Sequence, residues 1–157
     1  AAELVERASP ALRELFDFCE GEYATKVSPI RITGATGTGL PVLTGNSVMF
    51  NGPEPTTCET FAFGDVNRPP SLIDFCKTRQ APYGTIVKAT LAILQHHCDD
   101  PSELLVSCDD RSKMGWVPAL IILHELSGFD PDWLQYSMHE LVTLDELREY
   151  ALRFANA

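Results

Sequence analysis

The chain has 157 residues, 45% of them hydrophobic and 22% charged, which is the size and composition of one globular domain with its own core. Twelve basic residues against 22 acidic ones give a formal net charge of −10. A surface of this sign repels nucleic-acid phosphates, so we expect no direct binding to DNA or RNA. No run approaches the roughly 20 apolar residues that cross a bilayer, so we expect no membrane association.

The cysteines and the start of the chain bear on the compartment. Five cysteines at irregular spacing, with no Cys-x-x-Cys pair, indicate reduced thiols rather than disulfides or a zinc ribbon. The first ten residues contain glutamates and lack the basic and then apolar pattern of a secretory signal. Both features predict a cytoplasmic protein.

Residues 2–20 are predicted to be helical. Ser9 and Pro10 together form a start signal, with serine as the N-cap and proline at the first helical position. Gly21 is the predicted stop. The apolar stripe at helical spacing consists of Leu12, Leu15, Phe16 and Cys19.

Residues 25–64 have the pattern of short strands separated by tight turns, which predicts a β-meander. The turn at 51–53 ends one strand, and the next is predicted to begin near Thr57 or Cys58. The glycine-rich run Gly34–Gly39 has the composition of a phosphate-binding loop. No helix of useful length can follow it and the Walker lysine is absent, so it is predicted to be a flexible hairpin loop.

The most apolar helix in the sequence is predicted at about residues 83–98. Pro82 precedes it, and Gly84 is placed at or near its N-cap. Its apolar positions cover most of the circumference, which is typical of a helix buried on most sides. Lys88 and Gln95 mark the narrow polar face.

The last part of the chain alternates helix and strand patterns. Glu103–Cys108 is predicted to be a buried strand, Pro118 opens a second apolar helix closed by Gly128, and the capping box at 143–146 opens a final helix. The prediction is an α+β fold in one domain, with a mixed or antiparallel sheet and helices covering it. The domain, 1–157, comprises an N-terminal helical segment, a β-rich part and an α/β part, which span 1–21, 25–64 and 71–157.

Cys76 is the best candidate for a catalytic nucleophile. A thiol near a helix N-terminus and beside Lys77 is expected to have a lowered pKa. It lacks an obvious base, because His96 and His97 lie at the other end of the helix, roughly 20 Å away at 1.5 Å per residue, and His124 could reach it only through tertiary folding. The competing interpretation is an ordinary thiol packed in the core.

Two further groups could bind or act on a small ligand. Glu59 and Asp109 form a carboxylate pair if their strands are neighbours, which is the arrangement of acid–base and glycosidic chemistry. Lys77, Arg79 and Tyr83 could bind an anion at the start of the central helix, where the helix dipole favours negative charge. The competing interpretation of the second group is an ordinary charged turn.

Metal-ligating residue types also gather around the end of the central helix. They lack the His-Glu-x-x-His spacing, and adjacent histidines on a helix point in different directions. We therefore predict no metal site and no cofactor. The residues of this alternative are His96, His97, Cys98, Asp99, Asp100, Asp109 and Asp110.

Three pieces of the sequence occur in a distinctive order. They are Phe50-Asn51-Gly52 with Cys58-Glu59-Thr60-Phe61, Phe75-Cys76-Lys77-Thr78 with Pro82-Tyr83, and Val106-Ser107-Cys108-Asp109. Together they resemble a group of uncharacterised small proteins encoded by phages, mainly of actinobacteria. That group has histidine, aspartate and serine where this chain has Cys58, Gly84 and Cys108. The resemblance implies a phage accessory protein with no known activity.

The leading hypothesis is a non-enzymatic phage accessory protein that binds a host macromolecule, a protein, through its acidic surface in the host cytoplasm. The alternative is a small enzyme, or a protein that binds an anionic ligand or nucleotide, with a pocket around Cys76, Lys77, Tyr83 and Asp109. A virion structural component is a third possibility. The sequence does not determine the oligomeric state.

Overall fold

The computed structural model describes residues 1–20, 30–64, 76–100, 104 and 113–127. These ranges contain both helices and an antiparallel sheet, which confirms the predicted α+β class. The elements in chain order are α1 (Ala2–Glu20), β1 (Val42–Leu43), β2 (Val48–Phe50), β3 (Phe61–Phe63), α2 (Tyr83–His96), a short 3₁₀ helix (Lys113–Trp116) and α3 (Val117–Ser127).

The first helix, α1, runs unbroken through the predicted start signal at Ser9 and Pro10. That part of the prediction is wrong, because apolar residues before the proline are buried and hold the first turns against the core. The Ser9 hydroxyl does not cap the helix but donates to the Val5 carbonyl at 2.8 Å. The buried residues of α1 are Leu4, Val5, Ala8, Leu12, Leu15, Phe16, Phe18 and Cys19.

The sheet is the predicted meander, with strand order β1-β2-β3 and antiparallel pairing throughout. Met49 in β2 faces Val42 on one side and Ala62 on the other. Val48 and Phe50 bury their side chains in the core. The third strand begins at Phe61, later than predicted, because the residues before it form a hydrogen-bonded loop.

The glycine-rich run is a loop, as predicted, and β1 rather than a helix follows it. The Gly34 amide donates to the Gly39 carbonyl, and the Gly37 amide donates to the Gly34 carbonyl, each at 3.1 Å. Gly37 has a φ of 83° and lies against Thr57, so a side chain there would meet both backbone strain and a steric clash. The loop is therefore internally bonded and packed.

The central helix α2 is buried on most sides, as predicted, and it packs against both α1 and α3. Burial of apolar side chains on three helices removes them from water, which is the main favourable term in folding. The largest fully buried aliphatic side chains of these helices are Val5, Leu12, Leu15, Ile86, Ile93, Leu94, Ile122 and Leu123.

The N-cap of α2 is Pro82, and Gly84 lies near it in the first helical turn, within the predicted range. One detail of α2 differs from the prediction. Gln95 does not belong to a solvated face, because it is 1% exposed and its Nε2 donates to the Leu104 carbonyl at 2.8 Å. A buried amide is stable only when it has such a partner, and this bond ties the end of α2 to the following chain.

Lys88 holds the 3₁₀ segment against α2. Its ammonium group donates to the Gly115 carbonyl at 2.6 Å and lies 5.8 Å from the ring centroid of Trp116. A cation at this distance from an indole face is attracted by the ring quadrupole. Lys88 therefore has a structural partner and does not mark a solvated polar face.

The helix α3 begins at Val117 with Pro118 as its second residue, in agreement with the predicted start. None of the described helices combines the length and apolarity that a bilayer crossing requires. The predicted helix stop at Gly128, the capping box at 143–146 and the final helix lie outside the described residues. Of the predicted strand Glu103–Cys108, only Leu104 is described.

Thr90 in α2 offers a test of the packing. It is fully buried, and its hydroxyl has no hydrogen-bond partner in the part of the chain that the structure describes. We expect Thr90→Val to raise the free energy of unfolding by about 1 kcal/mol, because it removes an unsatisfied polar group at almost constant volume. Urea denaturation measures this, with Thr85→Val at a half-buried position of the same helix as the control. A Thr90→Val variant less stable than wild type would contradict this packing.

Candidate functional site

Asn51 organises the loop that joins β2 to β3. Its side chain is 1% exposed, and its Nδ2 donates to the carbonyls of Ala35 and Cys58 at 3.1 and 2.9 Å and to the Thr60 hydroxyl at 3.2 Å. Its Oδ1 accepts from the amides of Gly52 and Cys58 at 2.8 and 3.2 Å. One buried side chain therefore supplies hydrogen-bond partners to backbone groups of this loop, where the strand-to-strand hydrogen bonds are interrupted.

Glu59 connects this loop to the chain that leads into α2. Its carbonyl accepts from the Tyr83 hydroxyl at 2.8 Å and from the Cys76 thiol at 3.4 Å. Its carboxylate Oε2 accepts from the Lys77 amide at 2.8 Å, and its own amide donates to the Lys77 carbonyl at 3.3 Å. We call the region formed by residues 51–60 and 76–84 the loop–helix junction.

Tyr83 fills the centre of the junction. Its side chain is 1% exposed and its ring packs on Gly52, where an added Cβ would lie 2.5 Å from the ring carbon Cδ1. Any residue larger than glycine would displace the ring. Burial raises the pKa of the Tyr83 hydroxyl, and the neighbouring Cys76 and Cys58 thiols raise it further. The hydroxyl therefore stays protonated and can donate its hydrogen bond to the Glu59 carbonyl.

The chain enters α2 through a tight turn at residues 78–81. The Ala81 amide donates to the Thr78 carbonyl at 2.8 Å, and the two central residues, Arg79 and Gln80, have φ values of 47° and 61°. Left-handed conformations at both central positions are characteristic of a type I′ turn. An added Cβ at Gly84 would lie 2.6 Å from the Thr78 hydroxyl oxygen, so aspartate at this position requires Thr78 to move.

The structure brings together three of the predicted site residues, Glu59, Cys76 and Tyr83, along with the backbone of Lys77. The side chains of Lys77 and Arg79 are exposed beside them. Asp109 lies outside the described residues, so the Glu59–Asp109 pair stays a prediction. The sequence analysis did not identify Asn51 as important. The signal available was an asparagine in a tight turn between two apolar strands, where its side chain can bond to the backbone.

The chemistry available to Cys76 is set by its contacts. The thiol is half-buried, packs against the core and donates to the Glu59 backbone carbonyl. A thiol nucleophile needs a neighbouring base or a lowered pKa. His96 and His97, the histidines whose side chains the structure describes, lie at the opposite end of α2. The described contacts of Cys76 are those of a structural thiol.

The predicted metal alternative lies at the C-terminal end of α2. The rings of His96 and His97 are perpendicular, with centroids 5.2 Å apart, and Asp99 forms an ion pair with Arg7 of α1. Within the described ranges, no group of three or more histidine, cysteine or acidic side chains is placed to hold a metal ion. Asp109 and Asp110 lie outside those ranges.

Comparison of the chain with protein-family models, with curated proteins and with solved structures gives no match. Its function must therefore be argued from its own residues and their geometry.

Asn51→Ala is expected to lower the free energy of unfolding by about 2–4 kcal/mol, because it leaves several buried backbone groups without partners. Chemical denaturation measures the loss. Asn46→Ala is the matched control, since Asn46 is exposed and its side chain accepts from the nearby Thr44 hydroxyl. That variant should stay within about 0.5 kcal/mol of wild type. Equal effects of the two substitutions would contradict the role assigned to Asn51.

His97 is expected to make stability depend on pH. Burial, and then the charges of His96 and Arg7, lower its pKa below the usual 6.5. Between pH 6.5 and the lower folded value, the unfolded chain binds a proton that the folded chain does not. Stability should therefore fall as the pH is lowered from 7.5 through this interval.

Urea denaturation between pH 7.5 and 5.5 tests this dependence in wild type, His97→Gln and His96→Gln. The His97→Gln variant should lose less stability over the interval than wild type. The His96→Gln variant should keep most of the dependence, because burial is the largest cause of the shift. An unchanged slope in His97→Gln would show that other groups are responsible.

Proposed function

We propose that this is a non-enzymatic accessory protein of the phage type, which binds a host protein through an acidic surface in the host cytoplasm. The observation that carries the proposal is that the candidate reactive groups of the loop–helix junction take part in hydrogen bonds between segments of the fold. The Tyr83 hydroxyl, the Cys76 thiol and the Glu59 carboxylate are each engaged in hydrogen bonds that join two segments of the backbone. Each of these three bonds contributes to the stability of the junction, and none of the three joins the thiol to a base.

The outer side of α1 is the best-described part of the acidic surface. We call it the α1 acidic face: it has five exposed acidic side chains and two exposed arginines, one of which pairs with Asp99. The acids follow the outer side of the helix over its whole length, at spacings of three or four residues or their sums. The members of the face are Glu3, Glu6, Arg7, Arg13, Glu14, Asp17 and Glu20.

A predominantly negative face favours a partner with a basic surface. Complementary charge steers the encounter of two proteins and suppresses unsuitable partners, with a strength that falls as salt is raised. The net charge of −10 extends the same preference to the whole molecule. We therefore place the host partner among proteins with a basic surface.

The resemblance to phage-encoded proteins supports the same proposal. Two of its three motif pieces meet at the Glu59 carbonyl, which accepts from Cys76 and Tyr83. Asn51 and Gly52, in the first of these pieces, also have structural roles. The Asn51 side chain holds the loop, and Gly52 leaves space for the Tyr83 ring. These two motif pieces therefore have a structural explanation that requires no reaction.

The alternative is a small enzyme or a protein that binds an anionic ligand, centred on Cys76, Lys77, Tyr83 and Asp109. One observation favours it: the thiol and the phenol both donate to the Glu59 backbone carbonyl, and the carboxylate of the same residue accepts from the Lys77 amide. Substitution of the thiol separates the two proposals. Cys76→Ser should bind the host partner as wild type does if the protein is a binder.

Charge reversal tests the acidic surface. Immobilised wild-type protein is incubated with an actinobacterial host lysate at low and high salt, and retained proteins are quantified by mass spectrometry. The double variant Glu14→Lys/Asp17→Lys should lose the salt-sensitive partner that wild type retains. Each reversal adds two positive charges, so the pair takes the net charge from −10 to −6.

The matched control is Glu54→Lys/Glu125→Lys, which makes the same change in net charge at exposed positions outside α1. It should retain the partner. Loss of the partner from both double variants would indicate a response to net charge alone. Retention by both would contradict binding through the α1 acidic face.

A further inference from the structure

We propose that Cys58 and Cys76 form an oxidisable dithiol in the loop–helix junction, which closes to an intramolecular disulfide when it meets a low-molecular-weight disulfide such as oxidised glutathione. Closing it would lock the loop before β3 to the segment before α2 by a covalent bond. The inference goes beyond partner binding and does not depend on it.

The two cysteines belong to segments that are already hydrogen-bonded to each other. The Cys76 thiol donates to the Glu59 carbonyl at 3.4 Å, and Cys58 is the residue immediately before Glu59. The Glu59 amide donates to the Lys77 carbonyl at 3.3 Å, which holds the two backbones side by side at this point. A disulfide between them would reinforce a contact that exists in the reduced protein.

The Tyr83 hydroxyl is a neighbour that the two cysteines share. Its hydroxyl donates to the same Glu59 carbonyl oxygen as the Cys76 thiol, at 2.8 Å. The hydroxyl also interacts with the Cys58 thiol, and both thiols contribute to the rise of the tyrosine pKa after burial. The Cys58 thiol is therefore a neighbour of the Tyr83 hydroxyl, and the Cys76 thiol shares its acceptor, the Glu59 carbonyl, with that hydroxyl.

The other described cysteines are placed differently. Cys58 and Cys76 are half-buried at the edge of the core, where a small reagent can reach them. Cys19 is buried, and burial raises its pKa to about 12, which withholds the reactive thiolate. Cys98 follows the far end of α2, roughly 20 Å from the junction at 1.5 Å per residue.

The exchange balances without any further reagent. One cysteine, as thiolate, attacks a sulfur of oxidised glutathione, which breaks the glutathione S–S bond and releases one glutathione thiolate. The second cysteine, as thiolate, attacks the protein sulfur of this mixed disulfide, forms the Cys58–Cys76 bond and releases the second glutathione. Two electrons pass from the protein thiols to glutathione, and the thiol protons end on the two glutathiones.

Incubation of the native protein with millimolar oxidised glutathione tests the proposal, with remaining thiols blocked and disulfides mapped by mass spectrometry. The expected product is a single intramolecular link between Cys58 and Cys76. Because a disulfide restricts the unfolded chain, the oxidised protein should melt at a Tm higher by roughly 5–10 °C, reversed by a reductant.

Three serine variants define the controls. Cys58→Ser and Cys76→Ser should each accumulate one mixed disulfide with glutathione at the remaining junction cysteine, without a crosslink. Cys98→Ser should form the same link as wild type. Glutathione adducts on both Cys58 and Cys76 of wild type, a link from either residue to another cysteine, or no reaction at either thiol would overturn the proposal.

Discussion

The fold depends on the Glu59 carbonyl and the two side chains that reach it. Tyr83 and Cys76 both donate to this oxygen, and the Lys77 amide donates to the carboxylate of the same residue. These bonds join the β-meander to the start of the central helix. Tyr83, held by this bond, packs its ring on Gly52, so the start of α2 is fixed to the loop that precedes β3.

The sequence was sufficient for the parts of the fold that depend on periodicity and turn chemistry. The spacing of apolar residues predicted α1 and the buried α2, and the alternation of short β-rich runs with turns predicted the meander. Local signals failed where tertiary burial opposed them. Ser9 and Pro10 have the chemistry of a helix start, but burial of Leu4 and Val5 extends the helix past them.

The candidate site was predictable in membership but not in role. Cys76, Glu59 and Tyr83 were recognised from their residue types and from the start of the helix, and the structure places them together. Their roles depend on which atom meets which, and this requires the path of the chain between them. Gln95 shows the same limit of prediction from sequence. Its residue type predicts a polar face, but its amide is buried and donates to the Leu104 carbonyl.

If the junction is structural, Cys76 is not an activated nucleophile, although its thiolate can still exchange with a disulfide. The most direct test is the rate at which native Cys76 is alkylated by a small reagent at pH 7, located by mass spectrometry and compared with the rate for glutathione. The account predicts slower alkylation of Cys76, because its thiol is half-buried and hydrogen-bonded to Glu59. Alkylation tenfold faster than glutathione would contradict it and place a reactive centre at the start of α2.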